Sequence, residues 1–188
     1  MRTLLKMCFW LFVAALIAAT AAASLLIRRS HHFETMIVRA ADAQRIEPVI
    51  LLGLVQQCSG NNTTFARDEH YGLLALTTAD GTAWAAASGK PFDAFDLFDP
   101  EKNLQIGAWK FAAALRTWMR EPKPELWAVA GWQAPADQVR AWAGAARMDG
   151  GDPFQKISDP RVRNFAADVL RKTQREKIEI VLPWRKSG

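Results

Sequence analysis

The chain has 188 residues, half of them hydrophobic, with 8 tryptophans and 2 cysteines. That composition excludes a disordered polypeptide, and with Cys8 lying in an apolar run it also excludes an internal disulfide framework. The formal charge is +5, its excess carried late by Arg161, Arg163, Arg171, Lys172, Arg175, Lys177, Arg185 and Lys186. Such a face suits anionic lipid or wall polymer, or is an ordinary solvated helix face. Zinc-finger spacing and base-reading motifs are absent, so nucleic acid is not an expected partner.

Arg2 and Lys6 precede an uncharged apolar run from Met7 to Ile27, which Arg28 and Arg29 close. A run of this length spans a bilayer. It also reads as a signal peptide, with small residues at Ala21-Ala22-Ala23. Leu25, Leu26 and Ile27 continue past that point, which favours an uncleaved anchor over residues 1–30. Either reading exports the remainder, so the expected location is a bacterial inner membrane with a periplasmic or extracytoplasmic domain. His31 and His32 read as interfacial residues rather than metal ligands. Metal-ligand spacing is absent throughout and no cofactor is expected.

The rest of the chain predicts helices almost throughout. Phe33, Met36, Ile37, Ala40 and Ala41 share one helical face. Pro48 suits the first turn of a second helix. Its Val49, Leu51, Leu52, Leu54 and Val55 are apolar nearly all round, the mark of a central, buried helix. That helix delivers Cys58 and Ser59 at its C-terminal end, before a turn-forming stretch from Ser59 to Thr64. Thr78 is expected to cap a short helix ending near Gly89. Asp99 and Pro100 start a long helix reaching about Arg120. Another helix runs from Glu125 to about Gln133. The next passes through Val139 and Trp142 and is closed by Gly144 or by the Asp149–Asp152 loop. Asp159 and Pro160 open the last one, with Val162, Phe165, Ala166, Val169 and Leu170 on its apolar side. Ile178 to Leu182 reads as a short edge strand or an ordered part of a basic tail over 178–188. The expected fold class is mainly α, a single helical domain over 33–177 behind an N-terminal membrane segment.

Three segments in order carry a family resemblance: Pro48 to Asn61, Tyr71 to Thr78, and Leu97 to Trp109. Their succession resembles the soluble lytic transglycosylase family, lysozyme-like enzymes that cut peptidoglycan glycan strands. The resemblance implies a lysozyme-like fold and a partner in those strands. The family typically reads Gln-Glu-Ser where this chain has Gln57-Cys58-Ser59. In the family that glutamate first gives and then takes the proton, and the product is a 1,6-anhydro sugar. A thiol, with an ordinary pKa of about 8.5, is a poor donor to a glycosidic oxygen and reaches less far. The family's Gly-Leu-Met-Gln is Gly72-Leu73-Leu74-Ala75 here, so the amide implied to line the sugar groove is gone. Its Ala-Tyr-Asn-Ala-Gly best matches Gly131-Trp132-Gln133-Ala134-Pro135. Ser59 is retained, as are Gly72, Leu73, Asp99, Pro100, Asn103, Gly107 and Ala108.

The resemblance therefore implies a groove whose binding residues are Ser59, Tyr71, Leu74, Ala75, Trp132 and Gln133, with Cys58 at the catalytic position. Asp68 and Glu69 lie in a loop expected near the groove. Either is a candidate relocated acid, Glu69 foremost, although a solvated loop carboxylate is the favoured reading. Cys58 as a nucleophile with His70 as its base is a further option, weighed against a small apolar filler. Of Trp84, Trp109, Trp118, Trp127, Trp132 and Trp142, most read as core and only Trp132 as a groove face. The expectation is an exported, membrane-anchored domain that binds glycan or an envelope protein partner without cutting. Its rival is an active lyase with an unusual acid.

Overall fold

A computed structural model of the chain describes residues 33–176. The chain divides into two units, Met1–Met36 and Ile37–Gly188, and the architecture below is that of the second. The expected membrane segment and the tail over 178–188 lie outside the described residues. Among the described residues no helix is long and apolar enough to cross a membrane.

Helix α1 covers residues 33–44. Arg45, at φ 57°, stops it in the left-handed conformation that commonly ends helices. The Arg45 N–H donates to the Asp42 carbonyl and that of Ile46 to Ala41, both at 3.1 Å. Pro48 sets the first turn of α2 (Pro48–Ser59), and Gly60, at φ 62°, caps its end. Val49, Ile50, Leu51, Gly53, Leu54 and Val55 of α2 are all buried, so the expectation of a central helix holds. Its chief partner is α8 (Pro160–Glu176), the last described helix. Close approach of the two rests on Gly53, where a Cβ would lie 3.0 Å from the Val169 carbonyl oxygen.

A small antiparallel hairpin follows, β1 (Ala66–Arg67) and β2 (His70–Tyr71), with Ala66 opposite Tyr71 and Arg67 opposite His70. The loop reading of this stretch needs that correction. Two-residue strands carry no alternation to read, and the pairing comes from the turn. Asp68 and Glu69 both have positive φ, 50° and 63°, as a type I′ connection requires.

Helix α3 (Thr78–Ser88) begins one residue after its cap, which is Thr77 rather than Thr78. Thr77 and Asp80 form a reciprocal capping box. A one-turn 3₁₀ helix at Ala94–Phe98 precedes α4 (Pro100–Trp118), whose N-cap is Asp99 as expected. Then come α5 (Pro124–Ala130), α6 (Ala136–Asp149) and the short α7 (Pro153–Lys156). α6 runs through Gly144 and ends before Gly150, so the Asp149–Asp152 loop closes it. Helix α4 packs on α5, and α5 on α8, so the second unit has one continuous apolar interior. Trp84, Trp118, Trp127 and Trp142 are buried in it, as expected of tryptophans inside helices.

One polar side chain, Asn103, is fully buried among the described residues. Its Oδ1 accepts from the Leu74 N–H at 2.9 Å, and its Nδ2 donates to the carbonyls of Tyr71 and Leu97 at 3.0 and 2.8 Å. Asn103 thereby fastens the segment after β2 to α4 and the 3₁₀ turn. Gly72 lies in the same knot at φ 72°, where a Cβ would come within 2.0 Å of the Leu97 carbonyl oxygen. These contacts place the Tyr71–Leu76 segment, the floor on which the candidate site is built.

Candidate functional site around Cys58

Cys58 stands at the last turn of α2 and is half-buried. Burial pushes its thiol up from 9.0 to about 12, against the Lys110 ammonium and a hydrogen bond from Trp132, which both pull it down. The group is therefore a neutral thiol at any ordinary pH. A neutral thiol of this kind is neither a ready nucleophile nor a proton donor to an ether-like oxygen.

Trp132 sits in the turn between α5 and α6 and is half-buried. Its indole N–H donates to the Leu74 carbonyl at 3.1 Å, and its ring packs at a tilt against Phe111, with centroids 6.5 Å apart. The position matched to the family's tyrosine thus faces Cys58, a contact the sequence reading did not propose. Leu74 has a fully buried side chain, set against Gly107, where a Cβ would meet its Cδ1 at 2.1 Å. What Leu74 brings to the site is its carbonyl, not a groove-lining side chain. Ala75 follows in the left-handed region at φ 48° and is half-buried.

The other sequence candidates are placed as follows. The Ser59 hydroxyl donates back to the Val55 carbonyl at 3.2 Å, so it serves its own helix. Tyr71 is half-buried and meets the edge of Phe98, ring centroids 5.5 Å apart. Gln133 is exposed beside Trp132. Glu69 is exposed at the hairpin tip, open to water that a general acid's carboxyl needs to escape. His70 is exposed too, its Nδ1 2.7 Å from the Asp68 carbonyl oxygen. Cys58, Trp132 and the Leu74 carbonyl therefore converge, while Glu69, His70 and Gln133 stay at the surface.

Two site residues had no place in the sequence reading. Lys110, midway along α4, places its Nζ 2.9 Å from both carboxylate oxygens of Asp80. The same ammonium lies 4.8 Å from the centroid of the Trp132 ring, within cation–π range. Asp80 is held further by the N–H and hydroxyl of Thr77, each at 3.0 Å. Burial raises the Asp80 carboxyl, but Lys110 and the Thr77 bonds outweigh it, so the group stays below its ordinary range. Asp80 is thus a fixed carboxylate and not a reservoir of a proton. Thr77-x-x-Asp80 was legible as a capping box. The partnership with Lys110, thirty residues away along the chain, had no local signal.

No family model matches this sequence, and no curated protein matches it. Solved structures do. One is an inactive glutamate-to-glutamine mutant of the lytic transglycosylase Slt from Pseudomonas aeruginosa, with a TM-score of 0.66 and 17% identity over 77% of this chain. Another is the 70 kDa soluble lytic transglycosylase from Escherichia coli, with a TM-score of 0.69 and 18% identity over 78% of this chain. A complex of the 70 kDa soluble lytic transglycosylase with bulgecin A gives a TM-score of 0.69 and 17% identity. In each case this chain spans 24% of the neighbour's length. The likeness is one of fold, and the fold of this chain is the lysozyme-like one of the soluble lytic transglycosylases.

Proposed function

We propose that this chain is an exported domain that binds peptidoglycan glycan strands without cutting them. The observation that carries the reading is the chemistry around position 58. A neutral thiol stands where the family resemblance places the proton-donating glutamate, and the half-buried carboxyl of Asp80 is locked as a carboxylate by Lys110. Cleaving a glycosidic bond needs a protonated acid aimed at the leaving oxygen. Neither group supplies one. In the Pseudomonas neighbour a glutamate-to-glutamine change gives an inactive protein, which accords with a fold that does not cut once its acid is gone. The segment after β2, by contrast, is firmly held. Asn103, Gly72 and Gly107 hold it, and Trp132 offers it an aromatic edge.

The apolar run from Met7 to Ile27 supports a membrane anchor with the helical domain on the far side, at the periplasmic or extracytoplasmic face. An envelope protein partner belongs to the same reading, as the recipient of a domain that holds the wall and leaves it intact.

The test has two arms. Purified sacculi incubated with the full chain are expected to retain the protein on sedimentation and to release no 1,6-anhydro-muropeptides above a protein-free control. Release by wild type that is lost in Glu69→Gln would establish the rival reading, an active lyase whose acid sits on the hairpin. Loss of an acid–base catalyst costs about 10²–10⁴-fold, so the assay separates the two.

A further inference from the structure

The ammonium of Lys110 is a group at this site with a donor to spare. Its side chain keeps 31% of its exposure, against 18% for that of Asp80. A lysine ammonium has three donors. Asp80 engages it at 2.9 Å on one side and the Trp132 face lies 4.8 Å away on another. Asp80 itself has two further donors in Thr77, so its carboxylate stays satisfied if Lys110 shares its charge with a ligand. Position, orientation and a partly open face are thus settled before any ligand arrives, and pre-organisation lowers the cost of binding. Four parts of the chain converge there: the end of α2, the cap of α3, the middle of α4 and the α5–α6 turn.

We infer that Lys110 reads a carboxylate carried by the glycan strand, so that the site prefers muramic-acid-bearing strands over neutral amino-sugar polymers. The inference rests on the glycan-binding reading above and deepens it. The chemistry asks for an anion at the level of the sugar ring beside Trp132. A peptidoglycan strand offers two sources, the lactyl carboxylate where the stem peptide has been removed and the carboxylates of the stem itself. A simple N-acetylglucosamine polymer offers neither.

Binding of the full chain in detergent is measured by calorimetry against four ligands of equal length. They are a neutral chitooligosaccharide, a peptide-free muramyl oligosaccharide, the same oligosaccharide with its lactyl carboxyls capped as methylamides, and one bearing stem peptides. At least one carboxylate-bearing ligand should bind about tenfold tighter than the neutral and capped ones, the scale of one charge-assisted hydrogen bond. Which of the two does so identifies the source. Lys110→Met should abolish the difference, and Lys110→Arg should keep most of it. The preference should shrink as salt rises. Equal affinity for all four ligands overturns the inference and leaves glycan binding standing. So does a preference that survives Lys110→Met. Absence of binding to all four overturns both. The capped ligand needs no variant, so the outcome is readable even if Lys110→Met fails to fold.

Discussion

The chemistry proposed for this site turns on Cys58. Its thiol is raised by burial from the 9.0 of an open thiol to about 12. The fraction present as thiolate at pH 8 falls accordingly, and higher intrinsic nucleophilicity recovers about half of that loss on a logarithmic scale. Iodoacetamide should therefore label native Cys58 on the order of fiftyfold more slowly than the same residue in denatured protein. Equal rates would mean an open thiol. The sign for stability follows. Above pH 9 the unfolded chain gives up a proton that the folded one retains, so stability contributed by the neutral thiol declines from pH 9 toward 12, and Cys58→Ala should lack that decline. The burial that lifts a thiol would lift a carboxyl at the same place, toward the range in which it serves as a general acid. Cys58→Glu is accordingly expected to release anhydro-muropeptides above the wild-type background, at a rate limited by Trp132 and Ala75, which leave the sugar less well held. Release indistinguishable from wild type would mean that the groove no longer positions a sugar at all.

At the scale of elements, the site depends on one side chain that joins three of them. Asn103 in α4 satisfies the Leu74 N–H and the Tyr71 and Leu97 carbonyls. Asn103→Ala strands these groups in a dry interior, at about 3 kcal/mol or more. Thermal unfolding followed by circular dichroism should show Tm lowered by roughly 6–12 °C in a protein of this size. A change below about 2 °C would show that water replaces the lost amide. Asn103 was legible in the sequence as a position shared with the family, but its work was not. The three partners are carbonyls and an N–H of other segments, and backbone groups have no residue identity to read. The same holds for the hairpin, whose strands are too short for any pattern and whose turn depends on Asp68 and Glu69 both adopting positive φ. Helices fared better. Asp99, Pro100, Pro160 and Pro48 are local signals, and each begins a helix where its chemistry says it should.

For the molecule as a whole, the apolar run from Met7 to Ile27 predicts a retained anchor, since Leu25, Leu26 and Ile27 extend it beyond the small residues that a peptidase would recognise. Mass spectrometry of the mature protein from membranes should give an intact N-terminus, and alkaline carbonate should not extract it. A new N-terminus near Ser24 would instead mean release of the domain.

Composition and periodicity alone determined that this is a mainly helical chain with a buried second helix, because burial of an apolar face imprints itself on neighbouring residues one turn apart. The resemblance to the lytic transglycosylases added that position 58 holds a thiol where that family has a carboxylic acid. Only the tertiary structure decided what surrounds that thiol. Trp132 reaches it from beyond α5 in the chain, and Lys110 joins Asp80 across a separation of thirty positions. Such contacts are set by how helices pack, and the energy of an ion pair depends on distance and burial, neither of which is written in the order of residues.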